Sequence, residues 1–155
     1  EVERIRPVYN ACWEGNWGFV PITESEAAQM ARAFRPVVVP EAVPMIEKEG
    51  RLVGFALPVP DLNQVLRTNR SGRLLPVILK LLWALKRERI RRARIMLLGV
   101  LPEYRGKGID AVLWHWVWSR AGKHNMTWGE ASWILEDNAA MANAAERMGF
   151  RRYTP

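Results

Sequence analysis

The sequence predicts an α/β (α+β) fold, a mixed twisted sheet flanked by helices, formed by residues 1–155 as a single domain. Three observations carry that reading. Two β-like runs meet around Gly50 as a hairpin with a tight turn. "RIMLLGVLP" reads as a buried strand, nearly continuous in apolar residues. A helical stretch then separates it from a second strand. A helix crossing between strands 92–100 and 127–136 makes them parallel, whereas a hairpin is antiparallel, so the sheet is mixed.

The elements come in order. "VYNACWEGNWGFVP" at 8–21 reads as a short helix stopped by Gly15 and Gly18. Thr23 with Glu26 makes a capping box, and Ala27, Met30, Ala31 and Phe34 recur at helical spacing until Pro36 and Pro40. The hairpin strands are "AVPMIEKE" and "RLVGFALPV". Residues of about 61–90 form a helical insertion: Asp61 caps one helix, "NRSG" at 69–72 breaks it, and a strongly apolar helix comes next. That helix ends in "KRERIRRAR", six cations with one acid, Glu88. Such an end suits a core-packed helix whose cations sit in water near its C-terminus, where the dipole favours them. It also suits contact with an acidic surface, or one wall of an acyl-binding cleft. Beyond strand 92–100, residues 106–122 form a helix with Ile109, Leu113, Trp116 and Val117 on one face. "TWGEASWILE" is the next strand, "NAAMANAAERMG" an Ala-rich helix closed by Gly149, and "FRRYT" begins one more strand.

Composition bounds the chemistry. A net charge of +7 favours an anionic partner. A single cysteine, Cys12, excludes an internal disulfide and points to a reducing, cytoplasmic setting, while two histidines give no metal-ligand spacing. The chain opens on Glu1 with no signal-peptide pattern, as expected of a processed chain or an excised piece of a longer one. "LLPVILKLLWAL" is twelve residues long and interrupted by Pro76 and Lys80, whereas a membrane span needs roughly 20. The cations at 86–94 lack interleaved aromatics and any nucleic-acid motif, which argues against such a partner.

The informative segment is "LPEYRGKGID", 101–110. A strand end, a glycine loop and a helix start form an anion site by construction, because free N–H groups and the positive helix end converge there. Arg105 and Lys107 add charge. The same residues also suit an ordinary basic turn. The Walker pattern is absent. Gly106, Gly108 and Ala111 satisfy a dinucleotide fingerprint with Glu130 about 20 residues on, but residues 101–105 separate the strand from the first glycine, and too little chain remains for the second half of such a sheet.

"LLGVLPEYRGKGID" resembles the acetyl-CoA loop of the GNAT superfamily of N-acyltransferases, whose pattern [QR]-x-x-G-x-[GA] is met by Arg105, Gly106, Lys107, Gly108 and Ile109. "ILEDNAAMANAAERMGF" resembles the family's strand, asparagine, helix and "GF" ending, so the likeness spans roughly 92–153, and more loosely 43–59. "EASWILEDN" and "YNACWEGNWGFVP" are similar to a branch of larger bacterial GNAT proteins with the acyltransferase domain in the C-terminal half. The resemblance implies a GNAT-like sheet with a splayed strand pair. It implies acetyl-CoA or another acyl-CoA as co-substrate, with a small-molecule or peptide amine as acceptor. Pantetheine is then expected beside Leu98, Gly99 and Val100, and the diphosphate on Arg105, Gly106, Lys107, Gly108, Ile109 and Asp110. A homodimer, or contact with the rest of a larger chain, also fits.

Two positions depart from the family. Asp110 stands where Gly or Ala is usual; an aspartate in the first helical turn suits the dipole, but close to a diphosphate it could repel it. Ala145 stands where the family's tyrosine acid is expected. For a base, Glu130 and Glu136 share one face of strand 127–136 by the period of two, with an exposed strand residue as the alternative for Glu130. Asn138 and Asn143 suit the pantetheine or adenine side, or equally a helix cap and plain surface. His115 reads as structural, and Trp13, Trp17 and Trp133 as candidates to line a substrate pocket. The competing function is a degenerate GNAT domain that serves as a CoA-binding or interaction module.

Overall fold

The computed structural model describes residues 1–69, 72–131, 134–136 and 138–153. Helix α1 runs Val2–Trp13 and α2 runs Glu24–Phe34; β1 (Met45–Lys48) and β2 (Arg51–Pro60) form the hairpin. The short helix α3 (Asn63–Leu66) and α4 (Leu74–Lys86) come next, then β3 (Arg92–Val100), α5 (Ile109–Lys123), β4 (Trp128–Ala131) and α6 (Ala139–Arg147). The sheet order is β1-β2-β3-β4, with β1–β2 and β2–β3 antiparallel and β3–β4 parallel, the mixed arrangement expected from the connections.

Local chemistry explains most boundaries. The Thr23 capping box is complete: Glu26 N–H donates to Thr23 Oγ1, and Thr23 N–H donates to Glu26 Oε2 at 2.8 Å. Asp61 Oδ1 accepts from Asn63 N–H at the start of α3. Gly149, at φ +89°, closes α6, and Phe150 N–H returns to Ala145 O.

Four expectations change. Helix α1 begins well before residue 8 and includes Pro7 in its second turn, where only one backbone donor is lost. On α5 the buried residues are Leu113, Trp114, Val117 and Ala121, and Trp116 instead faces outward with its Nε1 donating to Glu41 O. Strand β4 covers Trp128–Ala131 among the described residues; Ile134 and Leu135 lie outside any strand and Glu136 is in a turn. "FRRYT" adds no strand over 150–153, because Phe150 packs on Trp114 and Arg152 pairs back to Glu146 at 2.7 Å.

The sheet separates two apolar layers. One joins Ala56, Ile95 and Val100 to Leu113, Trp114 and Val117 of α5 and to Ala145 of α6. The other joins Leu52, Val53 and Phe55 to Val8 of α1. At Gly99 α1 comes close to the sheet: a Cβ there would lie 2.9 Å from Trp13 Cζ3 and 3.0 Å from Cys12 Sγ, so only glycine allows the contact.

Candidate functional site

The ladder between β3 and β4 is short among the described residues. It runs from Arg92↔Trp128 to Ile95↔Ala131, while β3 continues through Met96–Val100 with β2 alone beside it among the described residues. The β2–β3 register slips between Leu57 and Pro58, leaving Met96 as an extra residue in β3. Such a bulge bends its strand and re-aims the residues beyond it. Among the described residues the last part of β3, Leu98–Val100, therefore has β2 on one side only, an edge that suits an extended ligand.

At the end of this edge the chain makes its loop. Leu101 N–H donates to Val53 O at 2.9 Å, and a 3₁₀ turn, Pro102–Tyr104, carries the chain outward. Gly106 and Gly108 take φ of +73° and +80°, the left-handed region in which side chains are strained, and Gly108 stands at the head of α5. The first α5 bond is Val112 N–H to Gly108 O. Among the described residues no protein acceptor meets the N–H groups of residues 106–111. A Cβ built at Gly106 or Gly108 would touch nothing within 4 Å, so the space over the loop is open. Several unpaired donors at a helix N-terminus beneath open space suit an anion such as a diphosphate.

The two cations of the loop are partly committed. Arg105 Nε donates to Val100 O at 3.2 Å and its terminal nitrogen donates to Cys12 O at 3.1 Å, tying the loop to β3 and α1. Lys107 Nζ donates to Glu103 O at 2.8 Å and lies 5.0 Å from the centre of the Tyr104 ring. Asp110 is half-buried in the first turn of α5, and the Ile109 side chain joins the core beneath Gly54. Leu98 and Val100 pack into the α5 layer, so what they offer a ligand is backbone. Burial pushes the Cys12 thiol up to about 11 against the opposing charge and hydrogen bond of Arg105.

The carboxylates lie elsewhere. Glu130 is 7% exposed and stands in register with Arg94. At ~3.3 Å per strand residue this is about 20 Å along β3 from Val100. Arg94 donates to Glu130 Oε1 at 2.7 Å and Arg92 to Oε2 at 3.2 Å; Arg92 also lies 3.6 Å from buried Asp61. Burial acts to raise the Glu130 pKa, but hydrogen bonds from Arg94, Tyr153 and Arg92 outweigh it and hold the carboxyl below its usual range. The structure thus gives Glu130 the task of balancing two arginines. Glu136 is exposed in its turn, so the two glutamates do not share a strand face.

Asn138 caps α6, accepting from Met141 N–H at 3.1 Å. Asn143 lines an open groove of about 480 Å³ with Glu146 and Arg147. Ala145 is 4% exposed inside the α5–α6 layer, without room for a phenol. Trp13 stacks on Tyr9 with ring centroids 4.7 Å apart and Trp17 is 99% exposed; Trp133 and Ser132 lie outside the described residues. Sequence reasoning missed the Arg92–Arg94–Glu130–Asp61 cluster and Tyr153. The alternation of Arg92 and Arg94 within an apolar strand was its one visible sign.

Fold and loop together define an α/β domain with a strand, glycine loop and helix junction at the end of β3. Residues 2–150 match the model of the Acetyltransferase (GNAT) family, and the chain belongs to that family. It is 34% identical over 158 residues to a bacterial ceramide synthase of Caulobacter vibrioides (strain NA1000 / CB15N), covering 99% of this chain and 41% of that protein. It is equally identical to Protein YghO of Escherichia coli (strain K12), again over 99% of this chain and 40% of the other. The chain therefore spans about two fifths of the length of these relatives. Among solved structures, AAC(6')-Iy in complex with a bisubstrate analogue, CoA-S-monomethyl-acetylneamine, superposes with a TM-score of 0.65 at 15% identity, over 99% of this chain and 86% of that one. An N-acetyltransferase from Staphylococcus aureus Mu50 gives 0.63 at 18% identity, over 97% and 77%.

Proposed function

We propose that this chain is an acyl-CoA-dependent N-acyltransferase domain whose acceptor is the amine of a long-chain lipid. The observation that carries the CoA half is the row of N–H groups at 106–111, which meet no acceptor among the described residues and follow directly on the end of β3. In this reading those groups hold the diphosphate, Lys107 supplies a further positive charge, and the β3 edge at Leu98–Val100 holds the pantetheine arm by backbone pairing. Acyl-CoA supplies the activated acyl group. The chain's own contribution is to orient the thioester and to polarise its carbonyl with backbone donors. The acceptor half rests on similarity to a ceramide synthase, since a ceramide is a long-chain amine bearing an N-acyl group.

Ala145, enclosed in the core, leaves the usual position of the leaving-thiolate acid without a titratable group. That favours, as a second reading, a domain that binds CoA without transferring its acyl group. One pair of measurements separates the two. Calorimetric titration with acetyl-CoA and a long-chain acyl-CoA is expected to show binding. Free-thiol release is then expected with a sphingoid base and not with a short soluble amine. Binding without thiol release over a broad amine panel selects the module, and no binding of either CoA defeats both.

A further inference from the structure

Helix α4 is apolar nearly all round, yet the protein buries only one side of it. Val77 and Ala84 enter the core. Leu74, Ile78 and Leu82 form one row at i, i+4 spacing, and Leu75, Leu79 and Trp83 form the next; these six residues are 47–74% exposed. Scattered exposed leucines need no explanation, but two adjacent rows on one helix form a continuous patch that does.

The surroundings of the patch indicate what covers it. Residues 67–91 hold eight lysines and arginines against the single acid Glu88. Glu88 is already engaged, its Oε1 3.0 Å from Nδ1 of His124. Lys80 and Lys86 lie on α4 itself, and Arg87, Arg89 and Arg91 come after it, all exposed. The Arg89 guanidinium sits 4.6 Å from the centre of the Trp83 ring, an aromatic–cation pair at the helix end. A second copy would bring the same cations against themselves. An apolar face rimmed by cations, with a tryptophan at its edge, matches instead a surface that is apolar below and anionic above.

We propose that α4 is an interfacial helix that docks this domain on an anionic lipid bilayer, lying in the plane of the headgroups with Leu74, Leu75, Ile78, Leu79, Leu82 and Trp83 immersed. This is contact with one leaflet and not a span: among the described residues no helix is long and apolar enough to cross a membrane. The docking does not depend on acyl transfer and is measured without any acyl-CoA, so either reading can fail alone.

The test is co-sedimentation of the chain with vesicles of phosphatidylcholine containing about 30 mol% phosphatidylglycerol, against phosphatidylcholine alone. Binding to the anionic vesicles is expected, falling with added salt, and weaker by at least about tenfold on the neutral ones. Leu75→Gln with Leu79→Gln and Trp83→Gln, all at exposed positions that leave the core contacts intact, is expected to abolish it. Lys86→Glu with Arg87→Glu is expected to weaken it roughly fivefold or more per charge. Circular dichroism confirms that each variant is folded. Failure to bind either vesicle overturns the proposal, as does binding that survives both sets of substitutions. Vesicle-free self-association that the glutamine variant abolishes also overturns it, by making the face a contact between copies.

Discussion

The two ends of β3 carry similar charge but treat their polar groups in opposite ways. At its start, Arg92 and Arg94 meet Glu130 and Asp61, and every carboxylate there has a cationic or N–H partner. At its finish, Arg105 and Lys107 are turned onto backbone carbonyls, and the N–H groups of 106–111 are left without acceptors among the described residues. Buried polar groups normally find partners, and here both carboxylates do while Arg94 Nε, also buried, has none among the described residues; paired carboxylates read as structure, and an exposed row of donors as a place for a ligand. On that ground mutation is expected to act on different quantities at the two ends of one strand: stability at the first, ligand affinity at the second.

The largest effect is expected at the open end. Gly108→Val places a β-branched residue at φ +80°, at a strain of about 1–3 kcal/mol, and puts methyl groups over the donors. Acyl-CoA affinity is expected to fall about 100-fold or more, read by calorimetry. Lys107→Glu, at an exposed position free of strain, guards against a folding artefact and should weaken binding roughly tenfold. If both variants bind as the parent does, the loop is an ordinary basic turn.

At the closed end, Glu130→Gln leaves two arginines facing a neutral amide. Removing one partner of a fully buried ion pair costs about 3–5 kcal/mol; with Arg92 39% exposed, a loss of roughly 2–3 kcal/mol in denaturant unfolding is expected. Its sign with pH comes from the depressed pKa. The ionised carboxylate stabilises the fold above the ordinary value of 4.5 and that contribution is lost as pH falls through the lower folded value. Below pH about 4.5 the parent's stability is therefore expected to drop toward that of the variant, whose own curve is flatter. CoA affinity and turnover should change less than about threefold. A collapse of turnover at unchanged stability would make Glu130 the base after all.

How far the sequence reaches depends on the range of the interaction. Capping at Thr23, the hairpin at Gly50 and the two glycines of the loop are set by neighbours within a few residues, and all are legible in the sequence. The extent of β4 and the facing of Trp114 over Trp116 are set by tertiary packing, which local periodicity does not contain. Glu130 is the sharpest case. Its alternation with Ser132 and Glu136 suggests a cleft face, but its environment is decided by Arg92 and Arg94, 38 and 36 residues away. Tyr153 cannot be placed without the sheet, since it meets Glu130 only once the chain end has come back beside β4.

Ala145 tests whether the family's missing acid can be restored. Its side chain sits among Val100, Leu113 and Trp114. Ala145→Tyr is therefore expected to overpack the layer, with a loss of about 1–3 kcal/mol and no gain in thiol release. A gain in turnover at full stability would mean that α6 shifts to expose this position when ligand binds.

The smallest effect sharpens the comparison from the α1 side. Cys12 abuts Gly99, and its carbonyl accepts from Arg105, so its thiol reports on the joint between β3, α1 and the loop. Burial raises its pKa to about 11, while the nearby Arg105 charge acts in the other direction. At pH 8 only about one thiol in a thousand would be ionised, so alkylation by iodoacetamide should run roughly 100-fold slower than for a free cysteine near its ordinary pKa of ~8.5. The rate should rise about tenfold per pH unit for as long as the fold persists. Arg105→Ala removes the opposing charge but also unties the loop from α1. If the joint stays packed the thiol becomes slower still; if α1 lifts away, it reacts like a free cysteine. Faster alkylation at unchanged global stability would therefore show that Arg105 clamps the joint, and that a ligand able to draw Arg105 off its two carbonyls would loosen α1 from the sheet.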